Sequence, residues 1–502
     1  MKNKIFIVIL FLLLISRIDV YASESRKLKV LVIEINPILS TIENKQLYVN
    51  NNGHPYVSEY FNQDRSKAFL ELKSDLEEVS HNYLDIEIVK NEYLNEFPTY
   101  TKEINLVNGT KAKRYDEETY ITMSRSRASR DVGSWIDMVY YPNYKPAEYS
   151  FDYNYIIEKF DLINRKNNGE FDQVWLNTID PASTFETIMV GDKAFWINGT
   201  PLTYDCDNFI ILNISISRRD ANLHALSHGI EGIMNMVFNR EVVDYSKRYN
   251  DLTDETYDNL TLWEKFNLSS YQINGNYAGV GNVHFPFNAE KDYDYSNERK
   301  VYSNWESWLD YPELSLEQKL SDSSSWLDFG PNSHFKKEDK FADRMYIRFW
   351  LYLFPHVDGF SSDGFYNNWW KYICDMDFVQ SITTTKDKNI DLELNKSFKI
   401  NFILNYYSGK KEVVNTIVND DNINIIGDSI KIVDGGIKGT KYGKSIVTIY
   451  RDGSSISYTI DVVPKQTNNF QLIVLSIIIS LSVILFIFVI FLIYFRKNKK
   501  TY

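Results

Sequence analysis

Residues 472–495 form a run of 24 residues without a single charge. A stretch that long and apolar is constrained to be a membrane-spanning helix. Only a helix satisfies its own backbone groups in lipid, and about 20 residues cross the ~30 Å hydrocarbon layer. Arg496, Lys497, Lys499 and Lys500 follow at once. Basic flanks stay on the cytoplasmic side, so the chain reads as a transmembrane helix over 470–495 with a cytoplasmic tail over 496–502. At the other end, Lys2 and Lys4 precede the apolar Ile5–Ile15, and Val20-Tyr21-Ala22 resembles a cleavage site. That is the pattern of a secretory signal peptide over 1–22. The expected protein is a single-pass cell-membrane protein whose bulk lies outside, facing an extracellular or cell-wall ligand.

The 502 residues leave room for two or three domains, and 44% hydrophobic with 15% aromatic content builds cores rather than disorder. A net charge of −12 argues against nucleic acid as a partner. Cys206 and Cys374 are the two cysteines. Two thiols do not make a disulfide framework, and whether they pair is open. The wealth of Lys, Asn, Ile and Tyr fits an AT-rich bacterial genome, and the shortage of cysteine fits a Gram-positive surface protein.

Residues 23–380 read as an α/β domain with a largely parallel sheet. Leu28–Ile35, Leu84–Val89, Phe171–Leu176 and Asn208–Ser217 are apolar runs of strand length. Ser66–Val79 and Tyr153–Ile163 have helical periodicity, Asn95–Tyr149 reads as loops with a hairpin, and a loop runs through Gly191 and Gly199. Tyr346–Phe354 reads as a buried helix, and Asn367–Trp370 opens the last one. In such sheets functional groups gather beyond the carboxyl ends of the strands. Asp220 and Asn222, both plausible N-caps, start a helix at such an end.

That helix, Leu223–Met234, carries His224, His228 and Glu231. At about 100° per residue the three fall within roughly 60° of one another. Two imidazoles and a carboxylate so placed can converge on one cation. Ala225, Gly229 and Gly232 lie beside this stripe. Interior glycines cost a helix about 1 kcal/mol each, so a packed segment is expected to cover them. His284, in the loop Gly281–Pro286, is the expected ligand from outside the helix. The candidate metal set is thus His228, His284, His224 and Glu231, with His224 the expendable member. Zinc is the expected ion, and Asp292, Asp294 or a displaced Glu231 the catalytic base. The order of residues matches neither H-E-x-x-H nor H-x-x-E-H. Ser227 lacks a nucleophile elbow, which weighs against a serine hydrolase. Asp292 and Asp294 could serve a glycosidase, but the tryptophans nearby read as core.

From Ser381 the pattern changes to short alternating strands over 381–464. Ser397–Leu404, Ile423–Ile426, Ser429–Val433, Ser445–Arg451 and Ser455–Val463 would make a small β-sandwich, with Asp452-Gly453 as a hairpin turn. Ile430–Gly439 followed by Tyr442–Ile449 resembles the core pattern of bacterial Ig-like domains of group 2. This implies a spacer or adhesive module. Residues 28–374 resemble a set of secreted bacterial proteins of unassigned activity. The resemblance lies in Phe195-Trp196-x-Asn198, Ser227-His228-Gly229-x-Glu231, Val283–Pro286 with Asp292–Asp294, and Asn367–Trp370. It implies a common site on His228, Glu231 and His284. Together these features point to a surface-anchored metal-dependent hydrolase acting on peptide or cell-wall material. The competing expectation is a non-catalytic binding or adhesion protein.

Overall fold

The computed structural model describes residues 24–40, 45–49, 55–57, 61–120, 151–178, 184–215, 221–242, 247–249, 251–327, 342–417, 422–465 and 469–498. The expected signal peptide and Asp220 lie outside these. The chain divides into two compact units. The first comprises Met1–Ile382, Leu404–Glu412 and Tyr450–Ser454, and the second Thr383–Ile403, Val413–Ile449 and Ser455–Tyr502.

The first unit is built on a five-stranded sheet. Its strands are β1 (Arg26–Ile35), β2 (Leu84–Leu94), β3 (Gln173–Asn177), β4 (Thr187–Val190) and β5 (Phe209–Ile214), in the order β2-β1-β3-β5-β4. The first four in that order run parallel, and β4 pairs antiparallel with β5. Alternation along β1 shows why the sheet is central. Leu28, Val30 and Val32 enter one apolar cluster, and Leu31, Ile33 and Ile35 the other. A strand buried on both faces needs apolar residues at every position, which is what a parallel sheet covered on two sides demands.

One face carries three helices: α1 (Phe61–Val79), α2 (Ala221–Asn239) and α3 (Ala342–Tyr352). Helix α2 is the central one. Its residues from Asn222 to Met234 are all buried, as are Val237 and Phe238. The stripe of His224, His228 and Glu231 is therefore inside the protein, covered as the glycines beside it imply. Asn222 fixes the start of α2 to the end of β5, accepting from Ser215 N at 2.8 Å and donating to Ser215 O at 2.9 Å. An ionic clamp joins α1 to α3: Asp75 receives Arg344 through two bonds of 2.9 and 3.0 Å, and Arg348 pairs with Glu78. Burial is the main cause that pushes the Asp75 carboxyl up to about 6, against the pull of the two arginines.

Two local readings of the sequence change. The helix expected over Tyr153–Ile163 is two short ones, Tyr153–Lys159 and Leu162–Asn167, separated where Asp161 adopts a φ of 50°. The loop before Gly191 contains β4, a strand short enough to leave no alternation to read. Trp263, Trp326, Trp350, Trp369 and Trp370 are fully buried, so they build the core and offer no platform for a sugar. Cys206 and Cys374 are free thiols.

The second unit holds short strands in small sheets. Asn389–Glu393, Ser454–Val463, Gly443–Arg451 and Ile423–Ile426 form a four-stranded one, and Ser397–Phe398, Gly436–Gly439 and Ile430–Val433 a three-stranded one. In the first unit, Asp452 and Gly453 make the expected turn with φ of 46° and 73°, the positive values a two-residue hairpin turn needs. Asn469–Asn498 is a continuous helix, and its segment Ile473–Arg496 is long and apolar enough to cross a membrane.

The glycines of α2 admit close neighbours. A Cβ on Gly232 would lie 2.5 Å from Ile197 Cα, and one on Gly229 only 3.2 Å from Thr187 Oγ1. The covering segment that these glycines imply is therefore β4 and the chain just after it. Gly232→Ala is expected to lower the melting temperature by roughly 5 °C, overpacking outweighing the ~1 kcal/mol gained in helix propensity. Gly229→Ala should change it far less, both read by near-UV circular dichroism.

Candidate metal centre

Helix α2 sets His224 and His228 one turn apart, and the loop after Val280 brings His284 across from them. His224 Nε2 and His284 Nε2 each lie 3.0 Å from His228 Nε2. All three ligand nitrogens lie within 4.8 Å of one another, so this triad could hold a metal ion. His224 and His228 are buried and His284 is nearly so, with a fifth of its side chain exposed.

Each ring turns its other nitrogen to a carboxylate. His224 Nδ1 is 3.0 Å from Asp343 Oδ1, His228 Nδ1 is 3.4 Å from Glu231 Oε2, and His284 Nδ1 is 3.0 Å from Asp292 Oδ1. A carboxylate on Nδ1 fixes the tautomer with the proton there and the lone pair on Nε2. The three lone pairs therefore point at one another. Protons cannot resolve this crowding. His228 Nε2 has one lone pair or one N–H, so it makes a hydrogen bond with only one of its two neighbours. A single cation at the centre satisfies all three.

The loop bearing His284 is held from several sides. Glu231 Oε1 accepts from Val283 N at 2.9 Å, and Tyr295 Oη donates to Val283 O at 2.8 Å. From α3, Tyr346 Oη donates to Asn282 O at 3.0 Å and Trp350 Nε1 to Gly281 O at 2.8 Å. Gly281 has a φ of 98°, and a Cβ there would strike Phe285 O at 2.4 Å, so the turn requires glycine. Tyr293, with a φ of 56°, places its half-exposed ring 4.3 Å from His284 and 5.6 Å from His224, measured between centroids. A tyrosine in the left-handed region is uncommon, and such strain gathers at functional sites.

Burial lowers the pKa of His228 to about 4, helped by His224, and that of His284 to about 4, helped by His228. Burial opposes the charged form of His224 too, but the hydrogen bond and charge of Asp343 more than offset it and hold its pKa above the usual value. Two rings are thus kept neutral and ready to bind metal.

No family model matches this chain, and no curated protein matches it. What it does must be argued from the site.

The residues named from the sequence take different places. His228 and His284 meet at the centre, and His224, treated there as dispensable, is the third member of the triad. Glu231 stands behind His228, one oxygen facing Nδ1 of that ring and the other accepting from Val283 N, apart from the three converging Nε2 atoms. Asp292 stands behind His284. Asp294 is turned into its own loop, where Oδ2 accepts from Glu290 N at 2.9 Å and Asn297 Nδ2 at 2.7 Å, so it does not join the site.

Two acidic residues were missed. Asp343 sits in the first turn of α3, a place where a carboxylate reads as an ordinary helix start. Glu186 precedes β4, and its Oε2 lies 3.8 Å from His228 Nε2. The apolar run Thr187–Val190, closed by Gly191, was the signal for the strand that places it.

Asp343→Asn or Asp292→Asn should weaken metal binding by about 10- to 100-fold, measured by competition with a chelator. In metal-free protein, His228 and His284 stay neutral down to about pH 4, while the unfolded chain protonates them near its ordinary value of about 6.5. Folding stability should therefore fall as pH drops from 6.5 to 4, and His284→Gln should flatten that fall in a pH series of melting temperatures.

Proposed function

We propose that this protein is a zinc-dependent hydrolase held on the outer face of a cell membrane, acting on peptide or cell-wall material. The observation that carries this reading is the convergence of three Nε2 atoms, 3.0 Å apart in the two closest pairs, each ring backed by its own carboxylate. Three imidazoles with an oriented outer shell suit zinc, an ion that accepts nitrogen ligands at about 2.0–2.1 Å and leaves a fourth position for water. Zinc bound to three histidines brings the pKa of that water near 7.

His224, His228 and His284 would hold the ion, while Asp343, Glu231 and Asp292 keep the rings in the binding tautomer. Half-exposed groups lie beside the triad: Glu186, Asp292 and the ring of Tyr293. Donors and acceptors beside an aromatic face suit a polar polymer segment better than a small apolar ligand. The apolar helix Ile473–Arg496 supports anchorage in a membrane. The signal peptide over 1–22 and the Ig-like strand pattern over 381–464 support an outward-facing catalytic domain on a spacer.

The full-length protein, purified in detergent, should contain one zinc per chain by elemental analysis. The His228→Ala, His284→Ala double variant should lose that zinc together with the release of fragments from labelled peptidoglycan or casein. Metal-free wild-type protein that folds as the double variant does would overturn the reading and leave a binding or adhesion protein.

A further inference from the structure

The carboxylates around the triad fall into two groups. Asp343, Glu231 and Asp292 stand behind the rings, each on an Nδ1. Glu186 stands on the other side, where the Nε2 atoms converge: its Oε2 is 3.8 Å from His228 Nε2. Two atoms bound to one tetrahedral zinc lie roughly 3.4 Å apart, so Glu186 is set just outside the ligand positions. A carboxylate there would stand beside a water held in the fourth position of a bound ion.

Its position is built into the fold. Thr187 pairs with Leu212 in the antiparallel ladder of β4 and β5, and Glu186 O accepts from Asn213 N at 2.8 Å. Phe185 N donates to Tyr153 Oη at 2.9 Å. The side chain is held as well, because Asn198 Nδ2 donates to Glu186 Oε2 at 2.7 Å. Half of its side chain is exposed, whereas that of Glu231 is buried. A base needs reach, a fixed carboxylate and a route for its proton. Glu186 has all three.

We propose that Glu186 is the general base of this site, an assignment that rests on reading the triad as a hydrolytic metal centre. In the step it performs, the water oxygen bonds to the substrate carbonyl carbon while the carboxylate of Glu186 takes the water proton. The carbonyl π pair moves to its oxygen. When that oxygen re-forms its double bond, the bond to the leaving nitrogen or oxygen breaks with its electron pair. The leaving group then takes the proton from Glu186, which returns to its starting state. Asn198 is the positioning residue.

The test uses the full-length protein loaded with cobalt(II) and two probes followed by visible absorption. Acetohydroxamic acid binds a metal as its anion and must give its proton to a base, whereas azide needs none. Glu186→Gln should bind cobalt as the wild type does, lose affinity for acetohydroxamate by about tenfold or more, and bind azide equally or more tightly. Asn198→Ala should show a smaller loss of the same kind. Unchanged acetohydroxamate binding in cobalt-loaded Glu186→Gln would overturn the role of Glu186 and leave the metal centre standing. Loss of cobalt from that variant alone would overturn it by making Glu186 a ligand. Failure of the wild type to bind cobalt would bring down the metal centre itself and the base with it.

Discussion

Glu231 ties the central helix to the loop it must meet. Its side chain is only 3% exposed, a place where an ionised carboxylate is costly unless its oxygens are satisfied. One oxygen accepts from the backbone of Val283 and the other faces His228 Nδ1. The same group therefore fixes the neighbour of His284 and the tautomer of His228. Remove that tie and the 3.0 Å approach of two rings from segments 56 residues apart loses a common support. A buried carboxylate that serves two partners is high in cost if either is lost, and so holds both in register.

Around this tie the fold supplies three surfaces. The end of β5 receives the start of α2 through Asn222. Helix α3, clamped to α1 by Arg344 on Asp75, delivers Asp343 to His224 and the Tyr346 and Trp350 donors to the His284 loop. The antiparallel edge strand β4 reverses direction relative to its neighbours, so its amino end lies beside the carboxyl end of β5. That reversal carries Glu186 to the end of the sheet where the triad sits. Gly232 makes room for the chain that follows β4, so a small residue in one helix sets the distance of a segment bearing Asn198.

How much of this the sequence disclosed depends on the kind of signal. The helix bearing His224 and His228 shows itself through local spacing, and the parallel strands through uninterrupted apolar runs such as Leu28–Ile35. The pairing of His228 with His284 was legible as chemistry, since a helix offering two nitrogens needs a third ligand from elsewhere. The roles within the set were not legible. Glu231 looks like a ligand by helical angle, yet a backbone N–H from another segment draws it backward. His224 looks dispensable until Asp343, 119 residues away, anchors its ring. Glu186 stands just before a four-residue strand, too short for a period, whose direction no local pattern encodes. Each miss is a partner supplied by tertiary structure, to which helical spacing and strand alternation are blind.

The electrostatics of the triad favour a cation over any arrangement of protons. With no metal, one proton shared between His224 and His228 relieves one contact, and the raised pKa of His224 makes that ring the donor. The contact between His228 and His284 then still sets lone pair against lone pair at 3.0 Å. Burial first, and then the charge of a neighbouring ring, opposes a second proton, so His228 and His284 resist protonation to about pH 4. A dication meets all three lone pairs at once, and the carboxylates of Asp343, Glu231 and Asp292 balance its charge through the rings. The cluster is therefore crowded for protons and could hold a metal ion, and the surrounding fold keeps it in that arrangement.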